Sequence, residues 1–184
     1  MLAVVALGGN AILRRGEKQT AAQQFRNTLE AMKTILSLIK KYNIVLTHGN
    51  APQIGSLLIR SEAAANKTYS VPLHVAVAES EGEMGYMIEQ SLYNVLSTHH
   101  IHKPVISVLT QVIVDKNDPL FKKPTKPVGP YYPRQKALAM MKRGMHMVKI
   151  NGGYRRVVPS PRPLTIVEAP VIKKLTQDAV VIAA

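Results

Sequence analysis

Cysteine and tryptophan are absent from the 184 residues, and phenylalanine occurs twice. Without cysteine there is no disulfide and no thiolate metal site, which fits a reducing cytoplasm. No apolar run approaches the roughly 20 residues that a membrane-spanning helix needs. The apolar start, MLAVVALGGN, lacks a basic leading segment and a small-x-small cleavage site, so it reads as a first strand and not as a signal peptide. Aromatics make up 5% of the chain, with no stacking pattern and no helix-turn-helix signature, so a nucleic-acid role would rest on charge alone. Acidic residues are also scarce, 11 against 24 Lys and Arg. The imbalance is local. Residues 115–184 carry 14 basic and 4 acidic side chains, and between Pro119 and Val167 there are 11 basic residues and no acidic one. Such a stretch suits an anionic partner or a solvated surface.

What remains is enough for one packed domain: 46% of residues are hydrophobic. LAVVAL (2–7) reads as an apolar strand, followed at once by Gly8-Gly9-Asn10. Thr20 to Tyr42 reads as a helix with Ala22, Phe25, Leu29, Met32, Ile35, Leu36 and Ile39 on one apolar face and a Thr20/Gln23 capping box. NIVLT (43–47) is a second strand, followed by His48-Gly49-Asn50-Ala51 and a helix opened by Pro52. Strand, glycine loop and helix, twice over, predict parallel strands joined by crossover helices, with both loops on one edge. A third helix is predicted from about Glu81 to Leu96. One or two strands are predicted within 103–114.

After Asp115 five prolines fall in 19 residues, which predicts an ordered loop outside any sheet interior. RQKALAMMKR predicts a short helix ending at Gly144, and Asn151-Gly152 predicts a hairpin turn. Residues 119–163 together predict a small basic lobe. A helix near Pro170 and a strand, AVVIAA, close the chain. That strand, at 179–183, is expected to leave an apolar sheet edge.

The glycine loops predict a phosphate site. Glycine permits close approach and conformations closed to other residues, and successive N–H groups form an anion nest. Lys126, between two prolines, is held on a stiff stretch from which a cation can be aimed. His99, His100 and His102 read as a solvent loop, so no metal site is expected. Glu79, Glu81 and Glu83 read as helix-start charges and the methionines at 140, 141, 145 and 147 as packing residues.

Taken together, VVALGGNAIL, THGNAPQIG, AESEGEMGY, LTQVIVDKNDPLFKKPTKPVGPYY, RRVVPSPRP and VVIAA resemble the carbamate kinases of the amino-acid kinase fold family, in family order across the chain. The resemblance implies an α/β fold, a mainly parallel sheet sandwiched by helices. It implies reversible phosphoryl transfer between carbamoyl phosphate and ADP, giving ATP and carbamate, within arginine metabolism. Gly8, Gly9, Asn10, Gly49, Asn50 and Ala51 would cradle the phosphoryl group, with Lys126 closing over it and Asn10 and Lys126 taking the catalytic part. Mg²⁺ would come with ATP or ADP in the full-length family, and this chain is expected to bind none itself. A cytoplasmic homodimer is implied, without membrane.

Two departures stand out. Ala51 replaces the family's usual glycine. And the chain is somewhat over half the family's length, so 1–184 reads as the carbamate and phosphate-binding domain, 119–163 as its protruding subdomain, and the nucleotide-binding domain, opened in the family by a GGGG loop, as absent. A kinase by ancestry, inactive as a half-chain, is expected. The alternative is a non-catalytic remnant that binds anions or pairs with another chain.

Overall fold

The computed structural model describes every residue except Arg15, and all but the side chain of Asn10. In chain order the elements are β1 (Leu2–Leu7), α1 (Gly9–Ile12), α2 (Ala21–Thr34), α3 (Leu36–Ile39), β2 (Asn43–His48), α4 (Ala51–Ala63), α5 (Leu73–Thr98), β3 (Val105–Val108) and β4 (Val112–Val114). A 3-10 turn at Pro119–Phe121 precedes β5 (Lys126–Tyr132), α6 (Arg134–Lys142), β6 (Met147–Ile150), β7 (Gly153–Val158), β8 (Pro163–Ile166), α7 (Ala169–Leu175) and β9 (Val180–Ala183). They fall into two compact units: residues 1–50, 78–111 and 167–184, and residues 51–77 and 112–166. Among the described residues no helix is long and apolar enough to cross a membrane.

The first unit is built on a parallel sheet in the order β1-β2-β9-β3. Its central strands, β2 and β9, are apolar on both faces because both faces are covered, whereas the edge strand β1 leaves Leu2 and Val4 exposed. Side chains alternate across the sheet. Ile44, Leu46, Val180 and Ile182 join Met32 and Ile39 on one side, with Met84, Ile88 and Leu92 of α5. Val45, Val181 and Ala183 join Ile172 of α7 on the other. The terminal apolar run is therefore no edge. β9 lies between β2 and β3 with Val180 to Ala183 all buried, because its crossovers return it to the middle of the sheet.

Two helices depart from their sequence patterns. α2 is capped as expected, Gln23 N–H donating to Thr20 Oγ1 at 3.2 Å. The Gln23 side chain does not reach back, however. It pairs with Arg26 and Asn27 instead, so the box is half formed. The early turns of α2 bury Gln24, Asn27 and Thr28 where an apolar face was expected, and Ala22 is exposed. α5 begins at Leu73, eight residues ahead of the predicted start. Its buried stripe runs on upstream through Ala76 and Ser80, residues too small or too polar to register as a hydrophobic face.

The second unit holds a three-stranded antiparallel sheet, β5-β7-β6, and a two-stranded ribbon, β4-β8. Residues 119–163 lie within it, alongside α4. The proline-rich stretch contains a strand after all: KPVGPYY is β5. It is tolerated because β5 is an edge, needing ladder bonds on one side only, and because its register with β7 shifts between Val128 and Tyr132. The Asn151-Gly152 turn joins β6 to β7 as predicted. Met140, Met145 and Met147 pack with Tyr132, Ala137 and Tyr154, while Met141 is exposed.

Candidate functional site

The parallel pairing of β1 with β2 ends on Leu7↔His48, so the two glycine loops leave the sheet side by side. Gly49 N–H reaches the Leu7 carbonyl at 3.4 Å. Carboxyl ends of parallel strands are where ligands bind in open α/β sheets. After β1 the chain turns at once into α1, where Ala11 N–H closes on the Gly8 carbonyl at 2.9 Å and Leu13 N–H on that of Gly9 at 2.8 Å. The amides of Gly9 and Asn10 precede the first such bond and are donors without an intrahelical acceptor.

Of the two reasons the sequence offers for glycine here, close approach and a special backbone conformation, the second does not apply. Gly8 has φ −68°, and neither Gly9 nor Gly49 has a positive φ. A Cβ added at any of the three would meet no described atom within 4 Å beyond the adjoining residues and the helix's own backbone. Neither backbone strain nor packing requires these glycines. What they leave is open space against the backbone. Ala51 likewise has no positive φ; it is the first residue of α4, so alanine carries no conformational penalty there.

Polar side chains that the sequence pattern passed over fix the loops. Asn50 Nδ2 donates to Ser80 Oγ at 2.8 Å, and Ser80 is fully buried on α5. Asn27, 4% exposed, donates to the Ile12 carbonyl at 3.1 Å and to Glu17 Oε2 at 2.5 Å, tying α1 to α2. Replacing it by leucine strips a buried carbonyl of its donor. Asn27→Leu is expected to cost about 1–3 kcal/mol, read from the shift in urea midpoint. A neutral result would mean that Asn27 does not hold the loop.

The same edge is pinned at β3. Glu81 Oε2 accepts from Thr110 N–H at 2.9 Å, and Glu168 accepts from Gln111 N–H at 2.7 Å and from its side chain at 3.0 Å. Burial raises the Glu81 carboxyl above its ordinary range, the Thr110 bonds opposing. Glu81 is thus an anchor in the body of α5, not a helix-start charge. The Thr110 hydroxyl also donates to the Ala184 carbonyl. A cavity of about 240 Å³ opens here, lined by His48, Glu81, Gly82, Gly85, Ser107 and Ala184 among others. His48 Nδ1 and Ser107 Oγ are buried with no hydrogen-bond partner among the described residues. Their pattern in sequence, one strand residue each, carried no signal of this.

Burial also holds the His48 imidazole below its ordinary value. Because its folded pKa is depressed, its contribution to stability is present above the unfolded value near 6.5 and is lost as pH falls through the folded one. Denaturation midpoints should therefore decline from pH 7 downward, and His48→Gln should flatten that decline. Glu81, shifted upward, acts with the opposite sign at lower pH, so the difference between the two proteins isolates the imidazole. Equal slopes would count against a buried neutral His48.

The structure thus brings Gly8, Gly9, Gly49 and Asn50 together on one edge of the first unit. The Asn10 side chain lies outside the described residues. Lys126 and Ala51 belong to the second unit, where Lys126 opens β5, exposed and without an ion pair among the described residues. His99 Nδ1 contacts the Val95 carbonyl at 2.9 Å at the end of α5, and among the described residues no His, Cys, Asp or Glu cluster could hold a metal ion.

An open parallel sheet clad by helices, with glycine loops at its carboxyl edge, has the architecture of the amino-acid kinase fold. No family model matches the chain. Individual relatives do. The chain is 45% identical over 188 residues to a carbamate kinase of Thermococcus kodakarensis and 44% identical over 187 to one of Pyrococcus furiosus, in each case across 98% of its own length and 59% of the relative's. A solved carbamate kinase from Giardia lamblia bound to AMP-PNP superimposes with a TM-score of 0.91 at 41% identity, covering 99% of this chain and 59% of that one. Over nearly its whole length the chain is homologous to the N-terminal portion of carbamate kinases. It spans about three-fifths of the length of these relatives.

Proposed function

We propose that these residues form the carbamoyl phosphate side of a carbamate kinase, which transfers a phosphoryl group between carbamoyl phosphate and ADP. The observation that carries it is the set of Gly8, Gly9 and Gly49, side by side on the sheet's carboxyl edge, where a Cβ would meet no described atom beyond the adjoining residues and the local helix backbone. Such space suits an anion lying against backbone N–H groups. Phosphoryl transfer asks little covalent chemistry of the protein. It asks for in-line positioning and for neutral balance on the equatorial oxygens. Amides of Gly9 and Asn10, the Asn50 side chain held by Ser80 and the Lys126 ammonium supply donors of that kind. Mg²⁺ would be held by the nucleotide phosphates and would offset charge on them. The enzyme works in the cytoplasm as a homodimer, with ATP and ADP as its nucleotides.

The open space gives a test with two opposed readouts. Gly9→Ala and Gly49→Ala should leave the fold intact or raise its stability by about 0.4–1 kcal/mol, since alanine fits the backbone and narrows the unfolded ensemble. Carbamoyl phosphate binding to the 184-residue chain, followed by calorimetry, should weaken at least tenfold in each. Unchanged binding would remove the glycine loops from the site.

A further inference from the structure

The second unit contains a cavity of about 350 Å³ that shares no residue with the site above. We propose that it binds a small organic carboxylate with an apolar body. Leu58, Val71, Val128, Met140 and Met145 form its apolar wall. Two of these are methionines, which adapt readily to irregular ligands. The charged groups are Glu62, Lys136, Arg143 and Arg156. Glu62 is already engaged. Its Oε1 accepts from the Tyr132 hydroxyl at 2.5 Å and its Oε2 pairs with Lys136 Nζ at 2.6 Å, while that ammonium also sits 4.9 Å over the Tyr132 ring. Tyr132 is 5% exposed and holds Glu62 from the inner side, while the Lys136 side chain is 52% exposed. Arg143 and Arg156 are left over. Neither has an ion pair among the described residues, and Arg156 is half-buried.

A partly desolvated guanidinium without an acceptor is costly, and its planar fork matches a carboxylate. An inorganic oxyanion would satisfy that charge but leave the apolar wall wet. A neutral apolar molecule would do the reverse. The volume is near the lower end of the roughly 300–1,000 Å³ of ligand pockets, which limits the occupant to a small molecule. Head and wall together select an anion of mixed character.

The experiment titrates the 184-residue chain with hexanoate, inorganic phosphate (head only) and hexanol (tail only), following backbone amide NMR shifts. Hexanoate should saturate with one site and bind at least tenfold more tightly than either fragment. Arg156→Gln should weaken hexanoate tenfold or more. Arg156→Lys, which keeps the charge and loses the fork, should weaken it severalfold. Lys149→Gln, an exposed lysine outside the cavity, should change nothing. Phosphate shifting the amides around the cavity as tightly as hexanoate does, an equal loss in Lys149→Gln, unsaturable shifts or indifference to both Arg156 substitutions would each overturn the proposal.

Discussion

Joined to the remaining two-fifths of the Thermococcus relative, the chain should form ATP from carbamoyl phosphate and ADP, and Lys126→Met in that fusion should lower the turnover rate by about 10²–10³. The 184 residues by themselves should form none. Preorganised donors at a phosphoryl group act together, and losing one typically costs about two to three powers of ten in rate. These 184 residues span 59% of the Thermococcus relative's length and hold the glycine loops and Lys126, the donors proposed above. Each further donor that the joined portion brings to the phosphoryl group would be worth a similar factor. A coupled assay of ATP formation reads all three proteins. Appreciable ATP from the 184 residues would show that they suffice. An unaltered rate in the Lys126→Met fusion would show that this lysine does not touch the reacting group.

Gly129→Ala should destabilise the protein by about 2 kcal/mol, in contrast with the glycines of the loops. Here φ is +72°, a region where an L side chain costs about 1–2 kcal/mol. The added Cβ would also lie 3.2 Å from Leu58 Cδ1. Gly129 sits where β5 loses register with β7, and its carbonyl accepts from Arg155 Nη2 at 2.9 Å. The bulge that lets a proline-rich strand pair at all therefore depends on it. For a chain of this size 2 kcal/mol corresponds to about 4–8 °C in melting temperature. A calorimetric scan that shows no shift would mean that the bulge accommodates a side chain freely.

These two kinds of glycine show what was legible in the sequence and what was not. The placement of Gly8, Gly9 and Gly49 on one sheet edge was legible because they follow apolar strands and precede helices, a local pattern. The parallel pairing of β1 and β2 followed from the same pattern. Their reason for being glycine was not local, since it depends on what lies across empty space. Ser80 and Asn27 escaped notice for a related cause. Buried polar residues look like surface residues until their partners, 30 and 15 positions away, are known. The strand in KPVGPYY was hidden because proline argues against strands in general, and only the edge position of β5 lifts the objection. Glu81 was read by its neighbours in sequence, although its partner is Thr110, 29 residues on.

The place of β9 carries one more consequence, for the order in which the protein is assembled. β3 has β9 as its sheet neighbour, and β2 has β9 on the side away from β1. During synthesis β1 and β2 can pair as soon as residue 48 is made, but β3 must wait, made and unpaired, until residues 180–183 emerge. At about 5–20 residues per second that delay lasts several seconds. Throughout it the apolar flanks of β2 and β3 are open to strands of other chains, so the nascent protein is exposed to misassembly until β9 arrives between them.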